Sequence, residues 1–206
     1  MRIIFKDKDL ERVLRREERN GIDLSFGADV ILLTAQWMAV FPRHRLTEEY
    51  RQTLGAIVEA MGYIPDNEIV HIQICKGEYV ISHPLPEVVV EDIDSFVPEE
   101  KELCKYTGLS SGGYFLYQTR DGTIYGCLSA GPSLYVMDAW VGDGVLVRRD
   151  ENTGEAVYRR TDRPREDKNT VEQMEAWAYL EARQWVRWPE EEPDGEIDGQ
   201  EEIEDG

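Results

Sequence analysis

The chain of 206 residues carries 42 Asp and Glu against 23 Lys and Arg, a formal net charge of −19, and 41% of its residues are hydrophobic. That balance argues against direct binding to DNA, RNA or an anionic membrane, because those interactions rest on Lys and Arg contacts to phosphate. Three scattered cysteines (Cys75, Cys104, Cys127) form no disulfide framework, and no apolar leader follows Met1, so a reduced, cytoplasmic protein is expected.

The charge is unevenly spread. Residues 1–51 are close to neutral, 52–147 carry a net −10, and 148–188 balance. Residues 189–206 hold ten carboxylates and no cation. Such a run cannot bury enough apolar surface to offset its ordering entropy, so a disordered acidic tail is expected after a single domain over 1–188.

Taken in chain order, Arg2 to Phe5 reads as a short strand. A helix follows from Asp7, with Leu10, Val13 and Leu14 at helical spacing and Asn20-Gly21 as the stop. Its Arg12, Arg15, Arg16 and Arg19 interleave with Glu11, Glu17 and Glu18, which predicts intrahelical pairing on a solvated face. Val30 to Val40 is largely apolar, interrupted by Thr34 and Gln36, and its length and Ala/Met content favour a second helix over a buried strand. Thr47 opens a third helix, which runs through Leu54, Ile57, Val58 and Met61 to Gly62.

From Ile69 the period changes to two. Ile69 to Ile74 reads as a strand, Lys76-Gly77-Glu78 as a turn, and Tyr79-Val80-Ile81 as its antiparallel return. The Pro- and acid-rich stretch from His83 is expected to lie over the surface, with Val88-Val89-Val90 as an edge strand and Glu99 to Tyr106 helical. Between Tyr114 and Arg160, short aromatic and β-branched runs alternate with turns at Asp121-Gly122, Gly131-Pro132, Asp143-Gly144 and Asn152-Thr153-Gly154. They predict an antiparallel β-meander that includes Leu134 to Met137. Thr170-Val171-Glu172-Gln173 is a capping-box sequence opening a helix to Trp188, with Met174, Trp177, Ala178, Trp185 and Trp188 on one stripe that docks on the sheet or on a partner. The fold class is therefore α+β: N-terminal helices, a central antiparallel meander, and a C-terminal Trp-rich helix packed on the sheet.

Catalytic motifs are weak. Gly108-Leu109-Ser110-Ser111-Gly112 matches the nucleophile-elbow pattern, but that motif needs a strand before the Ser and a helix after it, and no His follows Ser110. His71 and Cys75 share a strand face two pairs apart, too far for one tetrahedral ion. Cys104 lies between Lys101 and Lys105, which would lower a thiol pKa, but also beside Glu99, Glu100 and Glu102. Asp150 to Gly154 lacks the register of a calcium loop and is expected to be a hairpin turn. Arg159, Arg160, Arg163 and Arg165 form a basic stretch able to hold the tail or an anion.

No cofactor or metal is expected. The function that follows is a non-catalytic acidic binding protein, most concretely an inhibitor or nucleic-acid mimic that occupies the basic groove of a nucleic-acid-binding protein. The residues assigned to that contact are Glu91, Asp92, Asp94, Glu99 and Glu100 in the body, and Glu190, Glu191, Glu192, Asp194 and Glu196 in the tail. The alternatives are an enzyme with a hydrolase-like site near Ser110, or a structural component of a larger assembly.

Overall fold

The computed structural model describes residues 7–17, 19–65, 68–84, 86–111, 113–128, 138–161 and 171–188. Helix α1 (Asp7–Glu17) forms where its spacing predicts, and Arg15 pairs with Glu11 at 2.9 Å one turn away. Both Asn20 and Gly21 donate their backbone N–H to the Glu17 carbonyl, and Gly21 takes φ +93, which ends the helix.

Strand β1 (Ile22–Phe26) alternates buried and half-buried residues without exception, as a strand with one core face must. The stretch expected to be a second helix is instead two strands, β2 (Asp29–Leu33) and β3 (Trp37–Pro42), paired antiparallel. Thr34 makes the hairpin. Its Oγ1 accepts the backbone N–H of Gln36 at 3.2 Å and of Trp37 at 3.1 Å, holding the chain in a tight turn.

Helix α2 (Glu48–Met61) is bounded as its signals predict. The Thr47 side chain accepts the Tyr50 backbone N–H, and Gly62 closes the helix in the left-handed region. Tyr50 meets Phe41 edge-on at 5.3 Å, anchoring α2 to β3. Strands β4 (Ile69–Cys75) and β5 (Glu78–Ser82) form the expected hairpin, turned by Lys76 and Gly77, both at positive φ.

Val88-Val89-Val90 is not an edge strand. It lies in helix α3 (Pro86–Asp94), which starts at a proline whose missing N–H costs nothing in a first turn. Val89, Ile93 and Phe96, at helical spacing, pack onto the sheet, and that burial overrides the β preference of a valine run. Residues 99–106 are not helical either; β6 (Glu102–Ser111) occupies most of that stretch.

Next come β7 (Tyr114–Thr119), β8 (Ile124–Leu128), β9 (Ala139–Gly142), β10 (Val145–Arg149) and β11 (Ala156–Arg160). The hairpin at Asp150 is confirmed. The Asp150 carboxylate accepts the N–H of Asn152 and Thr153, and Gly154 N–H donates to the Asp150 carbonyl at 2.7 Å. Helix α4 (Val171–Glu181) contacts β8 and ends short of Trp185 and Trp188, so those two tryptophans are not on its stripe. The expected strands at 2–5 and 134–137, the Thr170 cap and the tail 189–206 lie outside the described residues.

All eleven strands form one antiparallel sheet in the order β5-β4-β1-β2-β3-β11-β10-β9-β6-β7-β8. The meander is therefore split, because β9 pairs with β6 and not with β8. The architecture is mixed and mostly strand. One face of the sheet, here the inner face, holds the larger core with Val13, Leu14, Tyr50 and Leu54 from α1 and α2 against Leu24, Leu32, Trp37 and Val157. The other, outer face carries a smaller core in which α3 covers Leu33, Met38, Val145 and Val147. Among the described residues no helix is long and apolar enough to cross a membrane.

Gly142 lies against the loop after α3, where an added Cβ would stand 1.8 Å from the Glu100 carbonyl oxygen. Gly142→Ala is expected to cost about 2–3 kcal/mol, read as a lower urea midpoint at unchanged m-value. Thr47→Ala removes the α2 cap and is expected to lower stability by about 1 kcal/mol in the same measurement.

Candidate functional site

The outer face gathers the five candidate contact residues of the body. Helix α3 is amphipathic, and with Val89, Ile93 and Phe96 turned inward, Glu87, Glu91, Asp92 and Asp94 face solvent. Glu99 and Glu100 follow in the exposed loop to β6. That loop is held in place: the Glu99 backbone N–H donates to Asp143 Oδ2 at 3.1 Å in the β9–β10 turn. The structure thus brings Glu91, Asp92, Asp94, Glu99 and Glu100 into one ordered, exposed segment. The tail candidates Glu190, Glu191, Glu192, Asp194 and Glu196 lie outside the described residues.

The arginine nearest this segment spends its hydrogen bonds on neutral groups. Arg160 donates to Ser95 Oγ at 2.8 Å and to the Ala35 carbonyl at 3.2 Å, with its guanidinium 4.4 Å from the centre of the Phe96 ring. It pins the end of α3 to the β2–β3 turn and leaves the α3 carboxylates uncompensated. Arg159, one residue earlier, points to the inner face and is only 2% exposed, donating to the Leu128 carbonyl. Burial lowers its pKa, opposed by Cys127, Tyr117 and Glu17. The expected basic stretch is therefore divided between core and surface, and Arg163 and Arg165 lie outside the described residues.

Beside the α3 loop is a groove of about 570 Å³ lined by Val97, Pro98, Lys101, Trp140, Arg149 and Tyr158 among others. Trp140 is 43% exposed on a strand whose neighbours Ala139 and Val141 are buried, and Lys101 lies 6.0 Å from its ring centre. Burial raises the Tyr158 pKa, with Arg149 working against it. Sequence reading missed this groove. The signal available was the alternation Ala139-Trp140-Val141, which puts a tryptophan on the face opposite its small and branched neighbours.

The catalytic candidates disperse. Ser110 sits in β6 opposite Phe115, beside the register shift that begins after Tyr106, so strand follows strand where an elbow requires a helix. His71 Nδ1 is 2.8 Å from Asp23 Oδ1 across the β1–β4 pair, while Cys75 is exposed at the strand end. His83 lies 3.9 Å from Glu68, and His44 is exposed in the 3-10 turn Arg43–Arg45. Among the described residues no group of three or more His, Cys, Asp or Glu side chains is placed to hold a metal ion.

Cys104 is buried and donates to the Ala139 carbonyl at 3.4 Å. Burial pushes its thiol well above the ordinary range, and the charges of Glu102 and Asp138 push it further, the reverse of what neighbouring lysines suggest. Burial also raises the carboxyl of Glu102, with Asp121 adding to the shift.

The C-terminal segment closes the sheet at β8. The Ile124 N–H donates to the Glu181 carboxylate at 3.3 Å, and buried Gln118 joins the Gly122 and Arg183 carbonyls to the Trp185 N–H. Lys105 reaches the Arg187 carbonyl at 3.2 Å and lies 5.0 Å from the Trp188 ring. Trp185 and Trp188 are therefore both held against the body.

No protein-family profile matches the chain, and no curated protein matches it either.

A thiol probe tests the cysteine assignments. Native protein is expected to label at Cys75 alone, with Cys104 and Cys127 reacting only on unfolding, as their burial requires. Fast labelling of Cys104 in the native state would contradict this arrangement.

Proposed function

We propose that this chain is a non-catalytic acidic binding protein that docks on a basic protein surface through α3 and the loop after it. The observation that carries the reading is six exposed carboxylates between Glu87 and Glu100, none in an ion pair with a described cation. Unpaired carboxylates at a rigid surface keep their full field, which steers a cationic partner and sets the register of docking. Exposed Val88, Val90 and Val97 stand among them and offer apolar contact once the charges have aligned the partner.

The sharpest form of the proposal is an inhibitor or nucleic-acid mimic, whose carboxylates take the place of phosphates in a Lys- and Arg-lined groove. In this reading the tail carboxylates Glu190, Glu191, Glu192, Asp194 and Glu196 add negative charge that strengthens the encounter. Three free cysteines agree with a reducing, cytoplasmic setting, and the reading needs no cofactor.

The test is affinity capture followed by quantitative binding to the captured partner. A basic protein is expected, with affinity falling steeply as salt rises. Glu91→Gln, Asp92→Asn and Asp94→Asn together are expected to weaken it about tenfold, mostly through the association rate, with the circular dichroism spectrum unchanged. Deletion of residues 189–206 is expected to weaken it further. A partner that binds equally well to both variants at low and at high salt would end the proposal.

A further inference from the structure

The two edges of the sheet are treated differently. Edge strand β8 is closed by α4 and the segment after it, with the Glu181 carboxylate on the Ile124 N–H. Edge strand β5 pairs with β4 alone, and no described residue hydrogen-bonds to its outer side. It carries no proline, no lysine and no bulge between Glu78 and Ser82. Its side chains are also open, with Tyr79 42% and Val80 46% exposed on opposite faces.

The edge strand itself carries apolar exposure, at Tyr79 and Val80, and Tyr63 and Ile64, before β4 in the chain, are exposed as well. A backbone edge with an apolar surround is a template for another strand.

We propose that the occupant is a second copy of this chain, paired antiparallel through β5 about a twofold axis at Val80. The hairpin sets the register. A two-residue turn makes Cys75 and Glu78 a hydrogen-bonded pair, so Gln73–Val80 and His71–Ser82 are hydrogen-bonded as well. The N–H and C=O groups of Tyr79 and Ile81 therefore point away from β4. Two such edges satisfy all of these groups when Tyr79 of each copy faces Ile81 of the other. Val80 then meets its own counterpart on the axis, and Glu78 falls opposite Ser82 with no like charges opposed. The result is a closed, isologous dimer with one sheet continuous through both copies.

A five-residue strand pair is a small interface, so the dimer is weak and exchanges with monomer. Each copy also carries a charge of −19, so repulsion opposes an association driven by backbone bonds and apolar contact. Salt must then strengthen the dimer, the opposite of its effect on a basic partner, which separates this contact from the proposed function.

Sedimentation velocity on the full chain over a concentration series is the test. The dimer constant is expected to tighten on the order of tenfold between about 0.05 M and about 0.5 M salt. Val80→Lys sets two ammonium groups across the axis and is expected to leave only monomer. In a Cys75→Ser background, Val80→Cys is expected to oxidise to a linked dimer, since directly opposed residues of a non-hydrogen-bonded pair lie about 4.5 Å apart, within disulfide reach. Circular dichroism checks that each variant stays folded. A wild-type chain that is monomeric at every salt concentration overturns the proposal. So does a dimer that Val80→Lys leaves intact, or a Val80→Cys chain that forms no link under conditions where wild type dimerises.

Discussion

The pairing of β3 with β11 is the constraint on which the rest of the molecule depends. Strands of residues 22–82 lie on one side of it and strands of 102–160 on the other, and the register Val40–Ala156 to Trp37–Arg159 is the only strand pairing between them among the described residues. Both cores are built across this seam. On the inner face Trp37 and Ala39 lie beside Val157, while on the outer face Leu33 and Met38 share a cluster with Val145 and Val147. Helix α3 covers that outer cluster with Val89 and Phe96, and Arg160, at the end of β11, ties the helix to the β2–β3 turn. The acidic surface is therefore rigid because the seam beneath it is.

Charge is sorted by depth. Arg160, which ties down the end of α3, lies on a phenylalanine ring and neutral oxygens, while Arg159 is buried on the opposite face among aromatic and thiol groups. The α3 carboxylates are exposed and make no ion pair with a described cation. At Glu102, desolvation and then the charge of Asp121 move the proton equilibrium toward the neutral form.

The sheet edges divide the molecule in a second way. At β8, the Glu181 carboxylate accepts the Ile124 N–H, and the Gln118 side chain joins the Gly122 carbonyl in the turn to the backbone of Arg183 and Trp185. At β5 no described residue pairs with the outer side of the strand. The outer helix thus presents fixed charge, and the β5 edge presents backbone and apolar side chains.

What the sequence by itself determined was the local structure whose cause lies within a few residues. The Thr47 cap and Gly62 stop of α2, the Lys76-Gly77 hairpin, the β7–β8 run and the Asp150 turn were all legible because turn and cap chemistry is short-range. So was the exposure of Glu91, Asp92, Asp94, Glu99 and Glu100. Only the tertiary structure decided the rest. Val30 to Val40 lost its period because helices cover both faces of β2 and β3, and a largely apolar run fits strand and helix alike. Val88 to Val90 became helix because Val89, Ile93 and Phe96 had a core to fill, and α4 ended at Glu181 because Gln118 claimed the chain beyond it. The groove at Trp140 needed β9 beside β6 as well as beside its hairpin partner β10, and no local pattern encodes a neighbour as distant in the chain as β6.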